Sequence, residues 1–361
     1  MTDRPLRIGL VCPYSLDVPG GVQQQVLGLA GWLRAAGERV ELLAPGHVPA
    51  EGLTSLGGTI PVRWNGSTAR IAAGPRTALR VRRWLRRGRF DVLHLHEPFT
   101  PSAALWALAL APRGTRVIAT FHAAVTPATG QARLAQGAGR AAGRLRRRIT
   151  GATAPSRAAA DTATRHWGIQ PELIPNGITL PEPRAASTPQ QPPRLTFLGR
   201  LDEPRKGLSV LLAALPLIRQ QLGPVELTLA GPGTAPREAE QPGVRVVGKL
   251  SETDKLALLR RTDVFVAPNT GGESFGLVLV EAMGAGAQVV ASALPGFLEV
   301  LMAEGVRLAE TFPAGDPAAL TERLRAVLET PVPADRLRAA AARYDWSAVG
   351  PRFLAHYLQQ S

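Results

Sequence analysis

At 361 residues, with 45% apolar side chains, the chain is long for one domain and too apolar for a disordered one; two domains of roughly 170 residues suit it. Its formal charge of +14 points to a polyanion, whether nucleic acid, anionic lipid or a phosphorylated small molecule, without choosing among them. Lysine occurs only at Lys206, Lys249 and Lys255, so the basic charge is nearly all arginine.

The first apolar run, residues 6–12, predicts a buried strand. It contains the one cysteine, Cys12, which excludes an intrachain disulfide, fits a reducing compartment and reads as a small buried hydrophobe. The run is short and ends at Pro13, so no signal peptide is visible. Strands follow at 40–44, 92–95, 117–121 and 173–174. Helical patterns lie near 22–36, 75–87, 102–111, 131–148 and 156–166. Residues 181–193 are a Pro-rich linker by composition. Alternation resumes with strands at 195–198, 225–230, 244–247, 264–267 and 288–291, and with helices near 207–221, 252–261 and 276–285. After about residue 316 the pattern is helical.

Strands separated by helices imply βαβ units and parallel sheets. The predicted fold is α/β: two Rossmann-like domains facing an interdomain cleft, with ligands at the carboxyl ends of the strands. The expected division is 1–180, 194–340 and a C-terminal helix, 341–361, crossing back to the N-terminal domain. The apolar stretch 103–111 is about half a bilayer span, and 276–294 carries Glu281 and glycines. A cytoplasmic protein, soluble or peripherally attached to membrane, is expected.

Three motifs stand where chemistry belongs. Gly20-Gly21 follows the first strand and opens a helix; such a turn lets backbone amides approach an anion, or is simply a tight loop. Around Arg200, Arg205 and Lys206, three cations within seven residues precede a helix. Fixed positive charge of this kind stabilises a departing diphosphate, and a solvated loop is the bland alternative. Glu273 and Glu281 are separated by seven residues within a glycine-rich frame. One carboxylate suits sugar hydroxyls and the other a ribose.

These motifs, with Val92-Leu93-His94-Leu95-His96-Glu97-Pro98, Ala119-Thr120-Phe121-His122 and Pro175-Asn176-Gly177, resemble the retaining family-four glycosyltransferases of GT-B fold. The similarity runs nearly end to end and is greatest to the bacterial phosphatidylinositol mannosyltransferases. It implies catalytic roles for His122, Arg200, Lys206 and Glu273. It implies donor contacts from Gly21, Arg200, Arg205, Lys206, Leu250, Glu273, Phe275, Gly276, Leu277 and Glu281. Tyr14, Asp17, Gly20, Gln23, Arg70 and His122 would line the acceptor side. The implied reaction moves a hexose, with retention, from a sugar nucleotide (GDP-mannose favoured, a UDP-sugar the alternative) to a lipid such as phosphatidylinositol. No obligatory cofactor or metal is expected. A soluble transferase acting on a small phosphorylated or polyol acceptor is the alternative, and a basic nucleic-acid-binding protein a distant one; no specific nucleic-acid partner is expected.

Residues 75–89 carry no acidic side chain. As a helix they place Ala78, Val81 and Leu85 on one stripe and Arg76, Arg80, Arg83 and Arg87 on another. With Arg82, Arg86 and Trp84 this reads as a contact with an anionic lipid surface. The acceptor side departs from the mannosyltransferase pattern at Phe99, Ala123 and Pro127, positions where the resemblance implies polar groups.

Overall fold

A five-residue apolar run without alternation buries both faces, and parallel strands flanked by helices satisfy that requirement. In the structure, a computed structural model, residues 4–64, 67–124, 143–182, 192–303 and 305–359 are described. Asn65, Gly66, Thr126, Pro127, most of the predicted linker and most of the predicted 131–148 helix lie outside them; that helix is described at Gly143–Arg146. The chain divides into two compact units, residues 1–177 with 346–361, and residues 178–345.

The first unit runs β1 (Arg7–Val11), α1 (Gly21–Ala35), β2 (Arg39–Ala44), β3 (Leu53–Ser55), β4 (Ile60–Trp64), β5 (Ser67–Ile71), α2 (Pro75–Gly88), β6 (Val92–His96), α3 (Ala103–Leu110), β7 (Arg116–Thr120), β8 (Gly151–Ala154), α4 (Arg157–Trp167) and β9 (Glu172–Leu173). Seven strands form a parallel sheet in the order β3-β2-β1-β6-β7-β8-β9. The strand order reverses between β1 and β6, the place where ligands collect on such sheets. On one face Ile8 and Leu10 pack with Val26, Leu29 and Leu33 of α1; on the other, Val11, Leu93 and Leu95 pack with α2 and α3. The antiparallel hairpin β4–β5 was not among the predicted elements.

Helix α2 corrects one expectation. Trp84 is 3% exposed and packs on Phe90, their ring centroids 4.4 Å apart, within the core that holds Val81 and Leu85. Position 84 falls three residues after Val81, on the buried stripe, so the indole is core and not part of an outward face. Arg76, Arg80, Arg82, Arg83, Arg86 and Arg87 are all exposed, and Leu79 lies among them at 63% exposure.

The second unit runs β10 (Arg194–Leu198), α5 (Leu208–Leu222), β11 (Glu226–Ala230), β12 (Val244–Gly248), α6 (Glu252–Arg261), β13 (Val264–Ala267), α7 (Leu277–Gly284), β14 (Gln288–Ser292), β15 (Glu310–Phe312), α8 (Pro317–Glu329) and α9 (Ala334–Ala342). Its six strands are again parallel, in the order β12-β11-β10-β13-β14-β15. Leu195, Phe197, Val264 and Val266 pack against α5 and α8, while Phe265, Ala267 and Val289 pack against α7 and α9. The last helix, α10 (Trp346–Leu358), returns to the first unit, where Val349, Phe353 and Tyr357 join the core of β1 and α1.

Candidate active site

In each unit the predicted residues gather at the carboxyl ends of adjacent strands. In the second, the loops after β10 and β13 are neighbours because their strands pair. Gly207 closes the β10 loop at φ +70, and a Cβ there would lie 1.8 Å from the Pro268 carbonyl oxygen. Only glycine fits so close an approach in that conformation. The same contact fixes the preceding 3-10 turn, Pro204–Lys206, against the β13 loop. The Thr270 amide donates to the Arg205 carbonyl at 2.9 Å.

Glu273 is the focus of this cluster. Its Oε1 accepts from Arg205 Nη1 at 2.9 Å, from Asn269 Nδ2 at 2.8 Å and from Lys206 Nζ. Arg205 also donates to the Gly272 carbonyl at 3.0 Å and to the buried carboxylate of Glu203, which lies 3.8 Å from Arg200. Four cationic or amide side chains are thereby held in fixed places by two carboxylates. Cations ordered in advance lose little conformational freedom when an anion arrives.

Helix α7 begins beside this cluster at Gly276, at φ +93, with no side-chain cap and no acidic residue in its first turn. The amides of Leu279 and Val280 turn back to the Gly276 carbonyl, which leaves those of Leu277 and Val278 for an anion. Leu277 is partly exposed there, as is Leu250 after β12. The Phe275 ring, by contrast, is 3% exposed and stands edge-on to Tyr344 at 5.4 Å. Phe275 can thus meet a ligand through its backbone, its ring being part of the core.

Glu281 sits inside α7, buried, with Oε1 2.8 Å from Lys255 Nζ. Its Oε2 is buried with no hydrogen-bond partner among the described residues. Burial raises the Glu281 carboxyl pKa and Lys255 opposes that shift. For Lys255 burial acts downward, yet the pull of Glu281 and Glu252 outweighs it and leaves the ammonium raised. A buried carboxylate oxygen with no donor is costly alone and suits a ligand hydroxyl.

In the first unit, three loops meet after the adjacent strands β1, β6 and β7. The loop after β1 leads to Gly20 and α1, whose first turn has no side-chain cap and no acidic residue. Gln23 donates from Nε2 to the carbonyls of Ser15 (3.2 Å) and Val18 (3.0 Å), and Asp17 accepts from the amides of His47 (2.7 Å) and Val48 (2.9 Å). These amides hold the Asp17 carboxyl below the usual carboxylate range. Both side chains therefore brace the loop that presents Tyr14 and Gly20. Ser15 donates its amide to the Arg70 carbonyl at 2.8 Å, and Tyr14 bridges to Ile71, so β5 brings the exposed Arg70 to the same loop.

After β7 comes His122, buried, with Nε2 2.8 Å from His96 Nδ1 and the two rings stacked at 5.1 Å. His96 stacks in turn on His94, whose ring nitrogens bond Tyr357 and Thr120, each at 2.6 Å. Burial holds His94 and His122 down to about 3 and His96 well below the usual range, so the ladder is neutral at pH 7. Phe99 stacks on Trp167 at 4.3 Å, a packing role for a position where the resemblance implied a polar group.

Sequence reading missed Glu203, Asn269 and Lys255 as supports of the second-unit cluster, and His96 and Glu97 in the first. Lys255 carried a signal, being one of three lysines. Among the described residues, no three His, Cys, Asp or Glu side chains gather as ligands for a metal ion, and no helix is long and apolar enough to cross a membrane.

Two doubly wound parallel sheets, each with an uncapped glycine-led helix at its strand ends and one with clustered cations, fit the architecture of a GT-B glycosyltransferase. Residues 19–181 match the family described as Glycosyltransferase Family 4, and residues 192–330 match Glycosyl transferases group 1. The chain belongs to the family-four glycosyltransferases. It is 46% identical over 370 residues to a phosphatidyl-myo-inositol mannosyltransferase of Propionibacterium freudenreichii, covering 98% of this chain and 94% of the relative. To the protein of that name in Mycobacterium leprae it is 43% identical over 368 residues, covering 98% and 96%. Its fold matches that of the Anabaena protein HepE in complex with UDP-glucose, with a TM-score of 0.72 at 19% identity over 96% of this chain and 98% of the other.

Proposed function

We propose that this glycosyltransferase moves mannose, with retention of anomeric configuration, from GDP-mannose to the inositol ring of phosphatidylinositol at an anionic membrane surface. The observation that carries the reading is the near-full-length identity to proteins named phosphatidyl-myo-inositol mannosyltransferases. The second unit supplies the donor site in this reading. Arg200, Arg205 and Lys206 take the diphosphate, the amides opening α7 assist them, Glu273 contacts the sugar, and the open Oε2 of Glu281 accepts a ribose hydroxyl. The first unit supplies the acceptor side in this reading, from Tyr14, Gly20, Arg70 and His122, with Gly21 opening α1.

In the reaction the bond from the anomeric carbon to the diphosphate oxygen breaks as the acceptor oxygen bonds to that carbon from the same face. The acceptor hydroxyl proton passes to the leaving phosphate oxygen. The protein's part is orientation and charge stabilisation, for which the ordered Arg205–Lys206–Glu273 cluster is suited. His122 is neutral at pH 7, so it serves as a hydrogen-bonding and positioning group near the anomeric carbon and adds no charge there.

Helix α2 carries the membrane part of the proposal. Its exposed arginines, with Leu79 exposed between Arg76 and Arg80, suit anionic headgroups above a shallow apolar contact. The protein then works peripherally on the cytoplasmic face. The test is incubation of purified protein with radiolabelled GDP-mannose and vesicles containing phosphatidylinositol. Label in the lipid fraction is expected, with no transfer from UDP-glucose or ADP-glucose. Transfer only to a soluble polyol or sugar phosphate would replace the lipid acceptor, and failure of every GDP-sugar to bind would remove the donor assignment.

A further inference from the structure

His122 stands at the end of a strand, where a side chain is only as well placed as the backbone that carries it. That backbone is pinned by one residue. Glu97 follows β6 directly, and its Oε1 accepts from the amide of His122 at 2.6 Å and from that of Ala123 at 2.7 Å. Its own amide donates to the Thr120 carbonyl at 2.9 Å, so Glu97 joins the ends of β6 and β7 through main chain and side chain together. Those two ends carry His96 and His122, the rings that meet at 2.8 Å.

Glu97 is held at φ +49, and only it and Arg89 are non-glycine residues at positive φ among those described. The Cβ of an L residue is crowded in the left-handed region, and strain of this kind persists only where surrounding structure fixes it. A glycine would make the same turn without strain, but it would bring no acceptor for the two amides. The turn that begins at Glu97 also serves Tyr14. Thr100 donates its amide to the Glu97 carbonyl at 3.0 Å, and the Tyr14 hydroxyl lies where the Thr100 side chain and the Glu97 charge are both felt. One strained carboxylate thus adjoins both acceptor-side groups.

We propose that Glu97 is the positioning residue of the acceptor half-site: its carboxylate fixes the His122 backbone, and through it the ring geometry shared with His96. The proposal rests on the reading that His122 acts at the reacting centre. Three variants separate the two. Glu97→Gly keeps the left-handed turn, where glycine is at ease, and removes the carboxylate, so loss of folding is not the expected effect. Glu97→Gln retains an oxygen able to accept both amides. His122→Ala tests the underlying reading.

For Glu97→Gly we expect kcat to fall about tenfold to a hundredfold, the cost of misplacing a group by about 1 Å, with the KM for the donor nucleotide within about twofold. With six histidines in the chain, the imidazole 15N signals of His122 are assignable. They should shift in Glu97→Gly and return, with most of kcat, in Glu97→Gln. Wild-type kcat and unshifted His122 signals in Glu97→Gly, beside an inactive His122→Ala, would overturn the proposal alone. A fully active His122→Ala would overturn the role of His122, and this proposal with it.

Discussion

Acidification should unfold the first unit well before it disturbs the second, because three buried histidines resist protonation in the fold. His94, His96 and His122 are each below 10% exposed. Burial holds His94 and His122 down to about 3 and His96 well below its usual range. Their folded values lie below the unfolded value of about 6.5, so the stability they contribute is complete above that pH and is lost as pH falls toward 3. Between pH 7 and pH 5 each histidine of the unfolded chain goes from about a quarter to almost fully protonated, uptake that the fold refuses. Integrated at 1.36 kcal/mol per proton per pH unit, each site loses about 2 kcal/mol, and the three about 6 kcal/mol. Such a loss is most of the stability of an ordinary domain. All six tryptophans (Trp32, Trp64, Trp84, Trp106, Trp167 and Trp346) belong to the first unit, so their fluorescence in a urea titration reports that unit alone. The unfolding free energy should drop steeply from pH 7 to pH 5. A value constant to within about 1 kcal/mol, or NMR titration of His94 and His122 near pH 6.5, would refute the reasoning.

Other perturbations test the site directly. Glu281→Ala removes the acceptor offered by the open Oε2, and a hydrogen bond to a charged group is worth about 1.5–3 kcal/mol. Calorimetry should show the donor Kd rising about tenfold to a hundredfold; an unchanged Kd in a folded variant would exclude Glu281 from the donor site. Lys206→Ala leaves Glu273 bonded to Arg205 and Asn269 and takes away one fixed cation. The turnover at saturating donor should fall about a hundredfold to a thousandfold, and a loss confined to KM would argue against transition-state stabilisation. Replacing Arg76, Arg83 and Arg87 by Ser should weaken binding to vesicles rich in anionic lipid by about 3 kcal/mol, with flotation falling further as salt is added. Binding that stays unchanged would move the membrane contact away from α2.

The sheets were legible because their strands are unbroken apolar runs, a pattern that few other structures produce. The strand Val264–Ala267 and the helix Glu252–Arg261 lie where periodicity placed them. The hairpin Ile60–Trp64 with Ser67–Ile71 was not legible, since its polar, broken alternation resembles a loop. Trp84 shows how residue type can mislead where spacing does not: beside six arginines an indole suggests an interface, yet its interval from Val81 had already placed it inside. Of the candidate site, the cations and glutamates announced themselves by density in sequence. Their supports did not. Glu97 pins an amide 25 residues away and Lys255 meets a carboxylate 26 residues away, distances that only the closed sheet brings within reach.

The second unit is an insertion within the first: the chain leaves the first at Gly177 and re-enters it at Trp346. Ile178 and Asp345, the first and last residues of the second unit, are joined by one isolated parallel bridge. This arrangement inverts the usual order of folding during synthesis. The second unit, contiguous in sequence, has all its parts as soon as residue 345 has emerged from the ribosome. The first, though translated earlier, waits for Val349, Phe353 and Tyr357 to close the core over α1 and to give His94 its hydroxyl partner. A nascent or clipped chain lacking this last helix would therefore carry a finished second unit and an unsealed first one. The histidine ladder at the strand ends of the first sheet matures last, when the helix that seals it docks.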